Sequence, residues 1–144
     1  MTSIADILAG IAALLSDYSA AVDYIPDVDR PGEDLTTRHV YVTPSEFGAD
    51  PVSRNGAAEN ISVDVAVLHK CAEADFASRC DDVRAIARKL VGKAVAGPWY
   101  VNRCESNPLY VPRYWQESGL FAGAVRVELI ARTSDDDDGE VEGS

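Results

Sequence analysis

The chain has 144 residues, 47% of them apolar, with 13 basic against 24 acidic side chains and a net charge of −11. That length suits one self-sufficient core, and that apolar content excludes general disorder. Six acids stand in the last ten residues (Asp135–Asp138, Glu140 and Glu142), so the body holds 18 acids to 13 bases with no basic stripe, which excludes a protein that coats nucleic acid by displacing counterions.

Ser3 followed by Asp6 predicts a capped helix start. Ile4, Ile7, Leu8, Ile11, Leu14, Leu15 and Tyr18 then mark one face of an amphipathic helix over 4–18. Gly10 weakens it by about 1 kcal/mol relative to Ala. Its apolar face packs on a core or docks on a neighbouring subunit. With Asp6 and Asp17 inside it and no basic stretch before it, the segment reads as neither a signal peptide nor a membrane span. An acidic connection over 23–33 follows, holding Pro26, Pro31 and Gly32.

Residues 38–43 alternate Val40 and Val42 with His39 and Tyr41, a short strand that Pro44 is expected to stop. Residues 44–59 are too many for a tight turn, and two β-runs flank them. They predict a hairpin arm projecting from the sheet, with Phe47 and Arg54 as its contact residues. The arm is either a floppy tip or a segment that orders against a partner. In 60–68, Ile61, Val63, Val65 and Val67 alternate with Ser62, Asp64, Ala66 and Leu68, a half-buried strand.

The period then changes. Val83, Ile86, Ala87, Leu90, Val91, Ala94 and Val95 recur at three and four, predicting a helix over 74–96 capped by Asp75 or Ser78 and stopped by Gly97-Pro98. Residues 99–103 read as a strand. Residues 105–119 read as a long loop carrying Leu109, Tyr110, Tyr114 and Trp115, which either meet a partner or fold back as a lid. The last strand, 120–132, sets Val125, Val127, Leu129 and Ala131 against Arg126, Glu128, Ile130 and Arg132.

These elements predict an α+β fold: a four-stranded, mostly antiparallel sheet with two helices on one face and a long β-hairpin arm. One domain spans 1–133, and 134–144 form an acidic tail that does not pack by itself. The second sheet face, with Ser62, Asp64, Arg126 and Glu128, is too polar for another helix layer of the same chain. Leu68 and Ile130 on it suit an oligomer partner.

Little in the sequence points to chemistry. It has no Gly-rich phosphate loop, no G-x-S-x-G, no H-E-x-x-H and no calcium loop. Cys71, Cys80 and Cys104 lie at wide spacings and read as reduced thiols. His69 near Cys71 lacks the further ligands a metal needs. His39 and His69 read as half-exposed structural residues. A protein that is not an enzyme, with no cofactor and no metal, is expected. The rival is a ligand-binding or small catalytic α+β domain, which predicts a concave pocket lined by His39, His69 or Cys104.

One resemblance sharpens this. The sequence holds Ala21-Val22-Asp23-Tyr24-Ile25-Pro26, then Val40-Tyr41-Val42-Thr43-Pro44, Ser53-Arg54 and Ile61-Ser62-Val63-Asp64-Val65-Ala66-Val67. After the helix come Asn107-Pro108-Leu109-Tyr110-Val111-Pro112 and Phe121-Ala122-Gly123. In order and spacing, over 4–132, this resembles the tail terminator (tail completion) proteins of tailed bacteriophages and their head–tail neck relatives. The acidic tail falls outside the pattern. The resemblance implies a homo-oligomeric ring, commonly hexameric, in the virion at the head–tail junction, assembled in the host cytoplasm without membrane contact. Such a ring ends tail-tube growth, touches the tail tube protein and the head connector, and lets genomic DNA pass without sequence-specific binding. A head-closure or adaptor role in the neck is the alternative. Phe47, Arg54, Leu109, Tyr110, Tyr114 and Trp115 would then meet subunits or partners, and Asp64 and Glu128 would face the lumen if their sheet face lines it.

Overall fold

The computed structural model describes residues 2–23, 35–53 and 56–131. In chain order these form α1 (Ile4–Leu14), β1 (Ala21–Val22), β2 (His39–Ser53), β3 (Gly56–Lys70), α2 (Phe76–Leu90), β4 (Ala94–Ala96), β5 (Trp99–Ser106), α3 (Pro112–Ser118) and β6 (Leu120–Ala131). The expected α+β class is present, but the sheet has six strands rather than four, in the order β1-β2-β3-β6-β5-β4. The added strands are β1, which runs parallel to β2 at Tyr41 and Val42, and β4, which pairs with Trp99 and Tyr100. Two and three residues are too few to show a period of two, which is why sequence pattern does not reveal them.

The predicted cap on α1 is a full capping box: Asp6 N–H donates to Ser3 Oγ at 3.1 Å and Ser3 N–H donates to Asp6 Oδ2 at 3.4 Å. The expected helix over 4–18 ends earlier, at Leu14. A 3-10 turn over Ser16–Tyr18 and a left-handed Ser19 (φ 54°) follow. Gly10 stands where α1 crosses β4. A Cβ there would collide with the backbone oxygen of Val95, so the residue that weakens the isolated helix permits its close approach to the sheet.

The helix expected over 74–96 also ends early. Val91 turns extended and Gly92 takes φ 80°, from where Gly92 N–H reaches Val101 O and Val101 N–H reaches Lys93 O. Val91 is therefore exposed, not part of the buried face, and 94–96 join the sheet. Asp75 occupies the N-cap position without a side-chain cap bond.

Period two decides the core. Ile61, Val63, Val65 and Val67 of β3 share one face with Val40 and Val42 of β2 and with Phe121, Val125, Val127 and Leu129 of β6. Ile7, Leu8, Ile11 and Leu15 close over them from the α1 side, and Val83, Ile86 and Leu90 from α2. These two helices lie on one face, as the amphipathic stripes require.

The second face departs from expectation. Its lower third is apolar: Leu35, Tyr41, Leu68, Leu120 and Ala122 form a cluster that Val111 and Tyr114 pack against. The chain's own α3, inside what sequence reads as a loop over 105–119, covers that part of the face. Pro112 starts α3 and a left-handed Gly119 (φ 65°) ends it.

Pro44 does not stop β2. It pairs with Val63, and a bulge at Ser45 follows before Glu46 meets Ser62. A proline fits there because, among the described residues, no strand pairs with the outer side of β2 beyond Val42. The hairpin of β2 and β3 keeps pairing past the last β3–β6 partners, Asn60 and Ile130, through Ala49–Glu59 and Asp50–Ala58 to Ser53–Gly56. At about 3.4 Å per residue, the β3 residues from Glu59 to Gly56 carry the arm roughly 14 Å past the sheet.

Candidate functional site

The arm is where the sequence places its first contact residues. The Ser45 bulge sets their aim. Without it, Phe47 would stand opposite Asn60 on the polar face; with it, Phe47 stands opposite Ile61 on the helix-bearing face. Among the described residues no helix covers it, and Phe47 is 71% exposed. An aromatic ring left in water on a hydrogen-bonded strand is the kind of group that anchors an interface. Arg54, the other arm residue, lies outside the described residues.

The aromatic residues of 105–119 are divided in their surroundings. Tyr110 and Trp115 each place their ring centroid 4.8 Å from that of Phe76, and Phe121 meets Phe76 edge-on at 5.6 Å. Tyr114 lies on the second-face cluster. These three spend most of their surface on the chain's own core. Leu109 does not: it is 36% exposed at the lip of a groove between α2 and β5. The groove encloses about 350 Å³, with Val83, Ala87 and Cys104 inside and Leu109, Arg84, Arg88, Glu105 and Ser106 around the rim.

Asp64 and Glu128 sit on the second face, away from α1 and α2, within a cross-strand charge ladder. Asp64 lies opposite Arg126, Arg126 opposite Glu105, and Glu128 opposite Arg103. Arg103 Nη2 donates to Glu105 Oε1 at 2.8 Å. Beside the ladder a polar hollow of about 330 Å³ is lined by Glu46, Asn60, Ser62, Asn102, Arg126, Glu128 and Ile130. Burial raises the Asp64 pKa above its ordinary value, against the opposing pull of the Arg126 charge and a hydrogen bond from Ser45. The folded chain therefore holds this proton more tightly than the unfolded chain. The group's contribution to stability is present at low pH and is lost as pH rises above the carboxylate range. Asp64→Asn should accordingly gain stability relative to the wild type as pH rises from the carboxylate range towards neutrality, read in urea titrations. A relative loss would show that the pairing with Arg126 outweighs burial.

The histidines are held by structure. His69 Nδ1 accepts from Arg79 Nη1 at 3.1 Å, which leaves Nε2–H to donate to Thr36 O at 3.1 Å. Arg79 Nε lies 2.9 Å from Asp82 Oδ2, which also meets Arg38 Nη1 at 3.3 Å, and the Arg38 guanidinium sits 4.9 Å over the Tyr18 ring. His39 stacks on Tyr41 at 5.9 Å. Neither histidine lines the groove or the hollow. Cys104 does line the groove, but burial pushes its thiol up to about 11, far from a reactive thiolate. Among the described residues no three His, Cys, Asp or Glu side chains gather to hold a metal ion, and no helix is long and apolar enough to cross a membrane.

Two features of the site escape sequence reasoning. The bulge that aims Phe47 has no signal in composition. The groove needs α2 and β5 brought together, and Cys104 reaches the core side of β5 only through a bulge after Val101 that reverses the alternation set by Trp99 and Val101. No family model matches the chain. No curated protein matches it. Among solved structures the chain is similar to one from the virion of a native gene transfer agent (GTA) particle, at 19% identity over 84% of this chain and 82% of that one, with a TM-score of 0.46.

Proposed function

We propose that the chain is a structural virion protein, not an enzyme, that forms a ring at the end of a phage tail tube. The ring terminates tube growth and joins tail to head, with DNA passing through its hole. The observation that carries this reading is the overhanging arm: a hydrogen-bonded lever beyond the end of the sheet, with an exposed Phe47 at its root. A domain that served only a small ligand would have no use for such a projection. The resemblance to tail terminator proteins in element order and spacing supplies the setting.

The electrostatics suit the role. A body with an excess of acids repels a phosphate backbone, so DNA slides past without sticking. Where the second face lines the hole, Glu128 and Asp64 present that charge. The Arg126 and Arg103 partners keep the ladder from repelling itself.

Reconstruction of particles from the source phage tests the reading. The expected result is a closed ring of this chain, six subunits in number, seated on the last ring of the tube. Density for it in the connector layer would assign the head-closure or adaptor role instead. Its absence from the particle would overturn a structural role altogether.

A further inference from the structure

Two surfaces at opposite ends of the sheet are complementary. At one end β2 carries Phe47 and, from Thr43 onward, a backbone edge that no described strand pairs with. At the other, β4 covers β5 only at Trp99 and Tyr100, so the outer edge from Asn102 to Ser106 also lacks a described partner. Along β2, β3, β6 and β5 every neighbour is antiparallel, so β2 and β5 run in opposite directions. A second copy placed beside the first therefore presents its β2 to β5 in the same antiparallel sense that runs through the sheet. Unpaired edges of this kind are templates for strand addition.

Side chains match as the edges do. Phe47 projects from β2 on the helix-bearing face, and the apolar groove opens on that same face between α2 and β5. The groove rim carries Arg84 and Arg88, both exposed, with Arg84 only loosely paired to Asp81 at 3.6 Å. On that same face the arm carries an exposed Glu59, next but one to Ile61 along β3. One aromatic knob with a carboxylate beside it thus matches an apolar slot whose α2 rim carries two arginines and whose β5 rim carries Glu105.

We propose that Phe47 of one copy docks in the α2–β5 groove of the next, seated by antiparallel pairing of the β2 and β5 edges. The contact is heterologous: each copy gives its arm to one neighbour and its groove to the other, the geometry that closes into rings. This rests on the ring reading, and it names the surfaces that would build the ring.

The test uses two variants of the full chain, Phe47→Asp and Leu109→Asp. Both positions are exposed, and circular dichroism checks that each variant folds. Sedimentation velocity of the wild type at high concentration should show species above the monomer. Each variant alone should lose all of them. An equimolar mixture should regain a species of two subunits and nothing larger, because the mixed pair holds one intact contact and two damaged ends. Reversal of Arg84 and Arg88 to Glu should likewise abolish association. A wild type that stays monomeric throughout, or variants that keep the wild-type mass, would overturn the contact. A Leu109→Asp chain that still forms dimers would point to a twofold pairing of Phe47 surfaces and overturn it too. A ring seen in particles alongside any of these outcomes would leave the ring reading standing while this contact fails.

Discussion

Phe121→Ala should cost about 3–5 kcal/mol of folding stability, the loss seen when a buried aromatic ring leaves a cavity that its surroundings cannot fill. The ring is fully buried at the start of β6, edge-on to Phe76 at 5.6 Å, and Phe76 in turn holds Tyr110 and Trp115. Removing it undercuts α2, the 105–119 segment and the sheet together. Domains of this size are stable by roughly 5–15 kcal/mol, so the variant keeps a fraction of its margin. Its melting temperature should fall by on the order of 10 °C. Leu109→Ala, at the exposed lip of the groove, should change stability by no more than about 0.5 kcal/mol. Urea titrations of the two variants decide the matter. A drop below about 1.5 kcal/mol for Phe121→Ala would mean that the cluster repacks around the gap and that no keystone sits at this position.

Phe121 also shows how far a sequence carries. Its parity with Val125, Val127 and Leu129 places it on the core face of β6, and the same counting puts Val63, Val65 and Val67 on that face of β3. Wherever burial repeats at two or near 3.6, the sheet and both large helices are legible. The failures share one cause: tertiary contacts override local pattern. The apolar run Val91, Ala94 and Val95 continues the helical period, yet Gly92 breaks it and the strand edge at Trp99 captures residues 94–96. Pro44 looks like a stop, yet the unpaired outer side of β2 tolerates it and the Ser45 bulge absorbs the misfit. Gly123 looks like an ordinary strand weakness. In the fold, Leu109 O comes so close that a Cβ would strike it, and Ala124 exchanges backbone hydrogen bonds with Asn107 and Pro108. The arm is legible as a projection because two β-runs flank a stretch too long for a turn. The side on which Phe47 emerges is not, because a single inserted residue reverses it.

Replacing residues 51–57 with Asn-Gly should leave a folded subunit that no longer joins heads to tails. The replacement keeps the Asp50–Ala58 pair and closes it with a two-residue turn of the type hairpins prefer, so the strands below retain their register. The described part of that stretch, 51–53 and 56–57, pairs beyond Asn60–Ile130, the last pair of β3 with β6, and among the described residues no third strand pairs with it. Segments with so few contacts contribute little to global stability, and the cost should stay within about 1 kcal/mol. Phe47, at the root of the arm, remains in place. Loss of joining with unchanged self-association would therefore separate two roles: the root holds the neighbouring copy, and the tip reaches the tail tube or connector. In a mixture of purified heads and tails, the shortened protein should yield infectious particles only at background level, and Phe47→Asp should fail in both assays. Full joining by the shortened chain would remove the tip from the mechanism and leave the root of the arm with its copy-to-copy role alone.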